Sequence, residues 1–252
     1  MQYRALGSTG LRVSLIGLGT VKLGRNSAVR YPHSFAIPDD NQARRLLDTA
    51  RDLGINLLDT APAYGTSESR LGEMLAPHRG EWILSTKVGE QFEGGASRYD
   101  FTPEQARASV HDSLQRLRTD YLDVVLIHAN DDDLAIVRER GTLEALQDLR
   151  AQGLVRAVGI SHKTAAAGRL ALAKGADVLM TALSPSDTEL APVVAEAGAA
   201  GCGVMIKKAL ASGTGDPADL RWVAAQPGVS CIVVGTINPD HLTQNVEAAS
   251  GD

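Results

Sequence analysis

Only two cysteines, Cys202 and Cys231, occur in the 252 residues, and neither has a CxxC or Cys/His spacing. That excludes a disulfide framework and a cysteine-based metal site, and leaves two reduced thiols buried near strands. Basic charge is also in short supply: 25 Lys and Arg face 30 Asp and Glu, a net charge of -5. A surface that tracks nucleic-acid phosphates needs the opposite balance, so no nucleic-acid partner is expected. No apolar run approaches the ~18 residues of a membrane span. Arg4 and Arg12 interrupt the stretch where a secretory core would lie. The composition, 44% hydrophobic and 22% charged, is that of an ordinary globular chain. A cytoplasmic enzyme or binding protein remains, expected to be a monomer or weak homo-oligomer with a small-molecule partner.

What is present alternates. Short β-branched runs at 13–17, 55–59, 82–87, 122–128, 155–160, 177–182, 203–206 and 230–234 read as strands. Between them lie helical patterns, such as Ala106, Val110, Leu114 and Leu117, or Leu46, Leu47, Ala50 and Leu53. Thr102-Pro103, Asp216-Pro217 and Asn238-Pro239 mark helix starts, and Gly54, Gly153 and Gly201 mark helix ends. Eight strand–helix pairs without a linker predict a single (β/α)8 TIM barrel domain over 1–252. Residues 4–11 form an N-terminal β-hairpin turning at Ser8-Thr9-Gly10. The competing doubly wound sheet lacks its fingerprint, because Lys22 stands where a third glycine would follow Gly17 and Gly19.

Barrel enzymes work at the carboxyl ends of their strands. Asp59, Lys87 and His128 end the second, third and fourth runs, and Tyr64 follows the second. A phenol is a poor acid at neutrality, but a neighbouring ammonium lowers its pKa and a carboxylate keeps that ammonium charged. Tyr64 would then give a proton to a carbonyl oxygen while His128 donates a hydrogen bond to it. Hydride has to come from a nicotinamide cofactor. Taken singly, Asp59 and Lys87 also read as a structural ion pair, Tyr64 as a rim aromatic and His128 as a half-buried histidine.

The sequence resembles the aldo-keto reductases. The resemblance rests on Gly17-Leu18-Gly19-Thr20, on 54–61 with Tyr64-Gly65, and on Ser85-Thr86-Lys87. It continues through Ser113-Leu114-Gln115-Arg116-Leu117, Tyr121-Leu122-Asp123, Leu126-Ile127-His128 and Val158-Gly159-Ile160-Ser161. It implies that Asp59, Tyr64, Lys87 and His128 are a catalytic tetrad reducing aldehydes or ketones with NADP(H), NAD(H) remaining open. It also implies cofactor contacts from Gly19 and Thr20, and from Ser161, His162 and Met180 around the nicotinamide carboxamide. Lys207, Leu210 and Ser212 would lie over the pyrophosphate. Gly235, Thr236, His241, Gln244 and Asn245 would lie at the adenine end.

Several of these positions depart from the family pattern. His162 replaces an Asn, Met180 a Gln, and Leu183 aligns with a stacking Tyr. Gly235 and His241 replace the Lys and Arg that commonly hold a 2′-phosphate, and a neutral imidazole does not substitute for a guanidinium clamp. The chain ends at Asp252, without the carboxyl-terminal loop of many members. Selectivity is therefore expected from Tyr31, Phe35, Phe92, Tyr99 and Phe101, half of the ten aromatics, lining the mouth or packing their own loops. Asn130 to Asp133 reads as a solvated acidic rim that disfavours anionic substrates. Two other functions stay open: a non-catalytic nucleotide-binding barrel, and a Schiff-base lyase using Lys87 or Lys207.

Overall fold

Eight parallel strands close on themselves in the computed structural model, which describes residues 1–29 and 31–250. Asp252, where the sequence stops, lies outside the described residues. A first hairpin, β1 (Tyr3–Ala5) and β2 (Arg12–Ser14), precedes the barrel strand β3 (Ile16–Gly19). Then follow α1 (Asp40–Asp52), β4 (Leu57–Asp59), α2 (Ser67–Leu75) and β5 (Ile83–Val88). A second hairpin, β6 (Glu90–Glu93) and β7 (Ala96–Tyr99), leads into α3 (Pro103–Leu117) and β8 (Leu122–His128). After α4 (Asp133–Glu139) and α5 (Thr142–Ala151) come β9 (Val155–Ser161), α6 (Ala165–Ala173), β10 (Val178–Ala182) and α7 (Ala191–Ala199). The last elements are β11 (Gly203–Lys207), α8 (Asp219–Ala224), β12 (Cys231–Val234) and α9 (Pro239–Ser250). The ring runs β3-β4-β5-β8-β9-β10-β11-β12 and closes where Val233 of β12 pairs with Gly17 of β3.

The period of two along a strand sorts the side chains into two buried layers. Leu57, Ile83, Val124, Leu126, Ala157, Val178, Met180, Met205 and Cys231 fill the barrel interior, and Leu6, Leu11 and Val13 of the first hairpin plug it. The alternate residues Leu58, Leu84, Val125, Ile127, Val158, Leu179 and Val204 face the helices instead. There they meet Leu46, Leu47, Val110, Leu143, Leu146 and Leu149, each fully buried aliphatic side chain contributing about 1.5–3 kcal/mol.

The expected barrel and N-terminal hairpin are present, with one boundary moved. Val13 pairs with Arg4 in the hairpin, so the first barrel strand starts at Ile16 rather than residue 13. Thr102 caps α3, accepting from the Gln105 amide at 3.3 Å, and Pro239 opens α9. Asp216-Pro217 instead forms a turn ahead of α8, Asp216 accepting from the Ala218 amide at 2.8 Å. Gly54, Gly153 and Gly201 follow their helices with φ of 78°, 82° and 77°. No helix among the described residues is long and apolar enough to cross a membrane.

Candidate active site

One step beyond the interior layer, the same alternation brings Asp59, Lys87, His128, Ser161 and Lys207 to one mouth. Lys87 Nζ donates to Asp59 Oδ1 at 2.8 Å, Oδ2 at 2.7 Å and the Thr60 carbonyl at 2.8 Å. Ser85 Oγ adds a bond to Asp59 Oδ1 at 3.0 Å. Lys87 and Asp59 are 1% and 3% exposed, so their charges are committed to each other. Tyr64 ends a single 3-10 turn, Pro62–Tyr64, with Lys87 Nζ 4.8 Å from its ring centroid. Its ring meets His128 edge-on, with centroids 6.1 Å apart.

These contacts set the protonation states. Burial, the largest single cause, lowers the Lys87 amine, but Asp59 and Tyr64 together outweigh it and the net pKa is raised. Burial raises the Tyr64 phenol, and Lys87 only partly opposes that. The expected lowering by Lys87 is thus reversed, because removing the phenolate from water costs more than one neighbouring ammonium returns. Burial lowers His128, opposed by Glu90 and reinforced by Lys87 and Lys207.

Glu90 is a site residue that the sequence reading missed, as are Arg25, Ser97 and Lys163. The chain turns out of β5 at Gly89, where φ is 97° and an added Cβ would lie 2.4 Å from the Phe101 ring. Glu90 then projects to His128, its Oε2 2.8 Å from Nδ1, though off the N–H axis. Its other oxygen accepts from Ser97 Oγ at 2.6 Å and lies 3.9 Å from Arg25. Burial pushes its pKa up, yet His128, Ser97 and Arg25 hold it down to about 2. A carboxylate two residues after strand end Val88 was the available signal; that loop had been read for its aromatics.

The cavity holds about 450 Å³ and also takes in Gly19, Met180, Leu210, Ser212 and Gly235. The other expected cofactor residues lie outside its lining. Thr20 is buried, donating to the Asp59 carbonyl at 3.0 Å and accepting from Ser67 Oγ at 2.9 Å. His162 falls one residue out of phase with Ser161 and faces the helices, its Nε2 2.7 Å from Thr181 Oγ1 and Nδ1 3.0 Å from the Thr164 carbonyl. Burial holds its pKa down to about 4. Leu183 is likewise buried in the helix-facing layer. Thr236 accepts from the Asn238 amide at 3.1 Å, His241 and Gln244 are exposed on α9, and Asn245 is buried there.

Two further expectations change. Asp133 is buried, begins α4, and accepts from the Lys163 and Thr164 amides at 2.7 and 2.8 Å, while Asp131 pairs with Lys163. Asp131 and Asp133 are thus engaged while Asp132 stays exposed, and Arg25, Lys87, Lys163, Lys207 and Lys208 outnumber Asp59 and Glu90 in the lining. Of the five loop aromatics, Tyr31 and Tyr99 line the cavity. Phe35 packs edge-on against Tyr31, Phe92 lies 3.5 Å below Arg25, and Phe101 is buried.

The family model for the "Aldo/keto reductase family" matches residues 15–214. The chain belongs to the aldo/keto reductase family. Pseudomonas aeruginosa PA4992, a candidate aldo-keto reductase of solved structure, is 44% identical over 99% of this chain and 94% of that one, with a TM-score of 0.91. The holo form of aldo-keto reductase AKR11C1 from Bacillus halodurans is 27% identical over 98% of this chain and 90% of that one, with a TM-score of 0.84. Arabidopsis thaliana L-galactose dehydrogenase is 38% identical over 170 residues, 64% of this chain and 48% of that enzyme. The chain spans about half the length of the first curated relatives it matches.

Proposed function

We propose that this reductase-family chain reduces an aldehyde or ketone with a nicotinamide dinucleotide, NADP(H) first and NAD(H) as the alternative, Tyr64 being the general acid. The observation that carries the proposal is the juxtaposition of a protonated phenol, a committed ammonium and an imidazole in one cavity. The cavity also fits the cofactor. Gly19 and Gly235 line it, and Lys208, joined by Lys207 when that amine is protonated, supplies charge for a diphosphate. When bound, the cofactor supplies hydride to the carbonyl carbon.

The remaining chemistry falls to the protein. Because burial raises its pKa, Tyr64 keeps its proton at neutral pH and has it to give to the oxygen. Lys87 then faces the phenolate left behind, which it stabilises most when that charge has formed. Asp59 keeps the ammonium charged and fixes it, with Thr60, in one position. His128 holds the carbonyl oxygen on the other side. With Ser97, Glu90 and Arg25 in the lining, the substrate we propose is a hydroxyl-bearing aldehyde, and the plant relative's name gives a sugar, L-galactose, for that enzyme.

The Schiff-base alternative has one supporting observation, the Lys207 amine, which burial and then Lys208, Lys87 and Lys163 push down to about 7. Lys87, raised by Asp59, is unsuited to it. Oxidation of NADPH and of NADH with a panel of aldehydes, ketones and sugars tests the proposal. Turnover with any of them supports it; cofactor binding without turnover supports a non-catalytic barrel, and borohydride-trapped substrate on Lys207 supports the lyase.

A further inference from the structure

His128 Nδ1 is buried without a hydrogen-bond partner among the described residues, and the Glu90 carboxylate stands 2.8 Å from it. Glu90 cannot swing away, because Ser97 Oγ binds its other oxygen at 2.6 Å and Arg25 stands 3.9 Å behind. A deprotonated Nδ1 would set its lone pair against a carboxylate oxygen at hydrogen-bond distance. A protonated Nδ1 turns the positive end of its N–H toward the same charge, an attraction weaker than an aligned hydrogen bond because the contact lies off the N–H axis. We infer that Glu90 is a positioning residue that keeps the His128 proton on Nδ1, so that Nε2 donates to a ligand oxygen only when the ring is cationic.

This rests on the reading of His128 as the group that holds the carbonyl oxygen. The imidazolium donates through Nε2 to the same oxygen in both directions, and in the reverse step the alcohol's single proton goes to the Tyr64 phenolate. The groups facing His128 are Lys87 of β5, Lys207 of β11, Glu90 of β6 and Tyr64, with Arg25 behind Glu90. Burial, Lys87 and Lys207 all disfavour the cation, and Glu90 favours it.

The test is a pH titration of ¹⁵N-histidine-labelled protein by long-range ¹H–¹⁵N NMR, with His128 assigned by its loss in His128→Asn. The neutral ring of the wild type is expected to carry its proton on Nδ1, a readout that needs neither turnover nor a folded Glu90 variant. In Glu90→Gln the His128 midpoint should fall by about one pH unit, a tenfold weaker hold on the proton. The alkaline limb of carbonyl reduction should move down with it, and Glu90→Asp should restore part of the shift. A neutral wild-type ring protonated on Nε2, or a His128 midpoint unchanged in Glu90→Gln, overturns the inference. So does a uniform loss of kcat with no movement of the limb. Absence of turnover with every carbonyl would defeat the reductase proposal while leaving the tautomer measurement intact.

Discussion

Lys87→Met removes the cation from the site while keeping most of the side chain's volume. In the folded protein it leaves the Asp59 carboxylate, 3% exposed, with the Ser85 hydroxyl as its remaining partner, and it strands the Thr60 carbonyl. Breaking a buried ion pair by deleting one member costs about 3–5 kcal/mol. With a urea m-value near ~3 kcal/mol/M, the unfolding midpoint should fall by about 1–2 M. Asp59→Asn should also be costly, since it leaves Lys87 buried and charged. The double variant, with neither charge, should recover at least ~2 kcal/mol of the summed losses. Urea unfolding followed by circular dichroism measures all four species. If Lys87→Met loses less than ~1 kcal/mol, or the losses simply add, the pair is not electrostatically committed and the reasoning about Tyr64 fails with it.

Four further outcomes are expected. Asp123→Ala should cost about 3 kcal/mol in the same unfolding assay, because the buried carboxylate holds Arg79 and Arg156 at 2.9 Å and the Leu84 amide at 3.0 Å. Arg156→Ala, removing a half-exposed partner, should cost less than ~1 kcal/mol. Lys207 has a folded pKa of about 7 against an ordinary 10.5, so between those values the unfolded chain holds a proton that the folded one has released. Its contribution to stability should therefore rise with pH across that window and vanish in Lys207→Met, as urea midpoints at pH 7 and 10 would report. An ultraviolet difference titration against Tyr64→Phe should find the Tyr64 phenol ionising only above the usual 10.

The barrel was legible because its signal repeats: eight apolar runs, helix starts such as Thr102-Pro103, and helix ends such as Gly54. The convergence of Asp59, Lys87 and His128 on one mouth was legible for the same reason, since Leu57, Ile83 and Leu126 fix which parity points inward and these residues continue it. That parity was also the tool that would have removed His162 and Leu183 from the cofactor contacts, since each lies an odd number of residues from an inward-facing neighbour. Val13 was read into the first strand because a hairpin strand and a barrel strand follow each other with one residue between them. Glu90 and Asp133 were hidden for a different reason. Each acts through a partner distant in sequence, His128 for one and Thr164 for the other, and no local pattern marks such a carboxylate as buried. The Ser113–Leu117 and Tyr121–Asp123 segments, quoted for family likeness, are structural: Arg116 binds the buried Glu68 at 2.7 Å and Asp123 joins β5, β8 and β9.

The most direct test of the central claim is a single-turnover measurement of NADPH oxidation by excess enzyme with a reactive aldehyde, in the wild type and in Tyr64→Phe. The account predicts consumption by the wild type, a rate about 10²–10⁴-fold lower in the variant, and the same cofactor dissociation constant in both. Equal rates in the two proteins would contradict it.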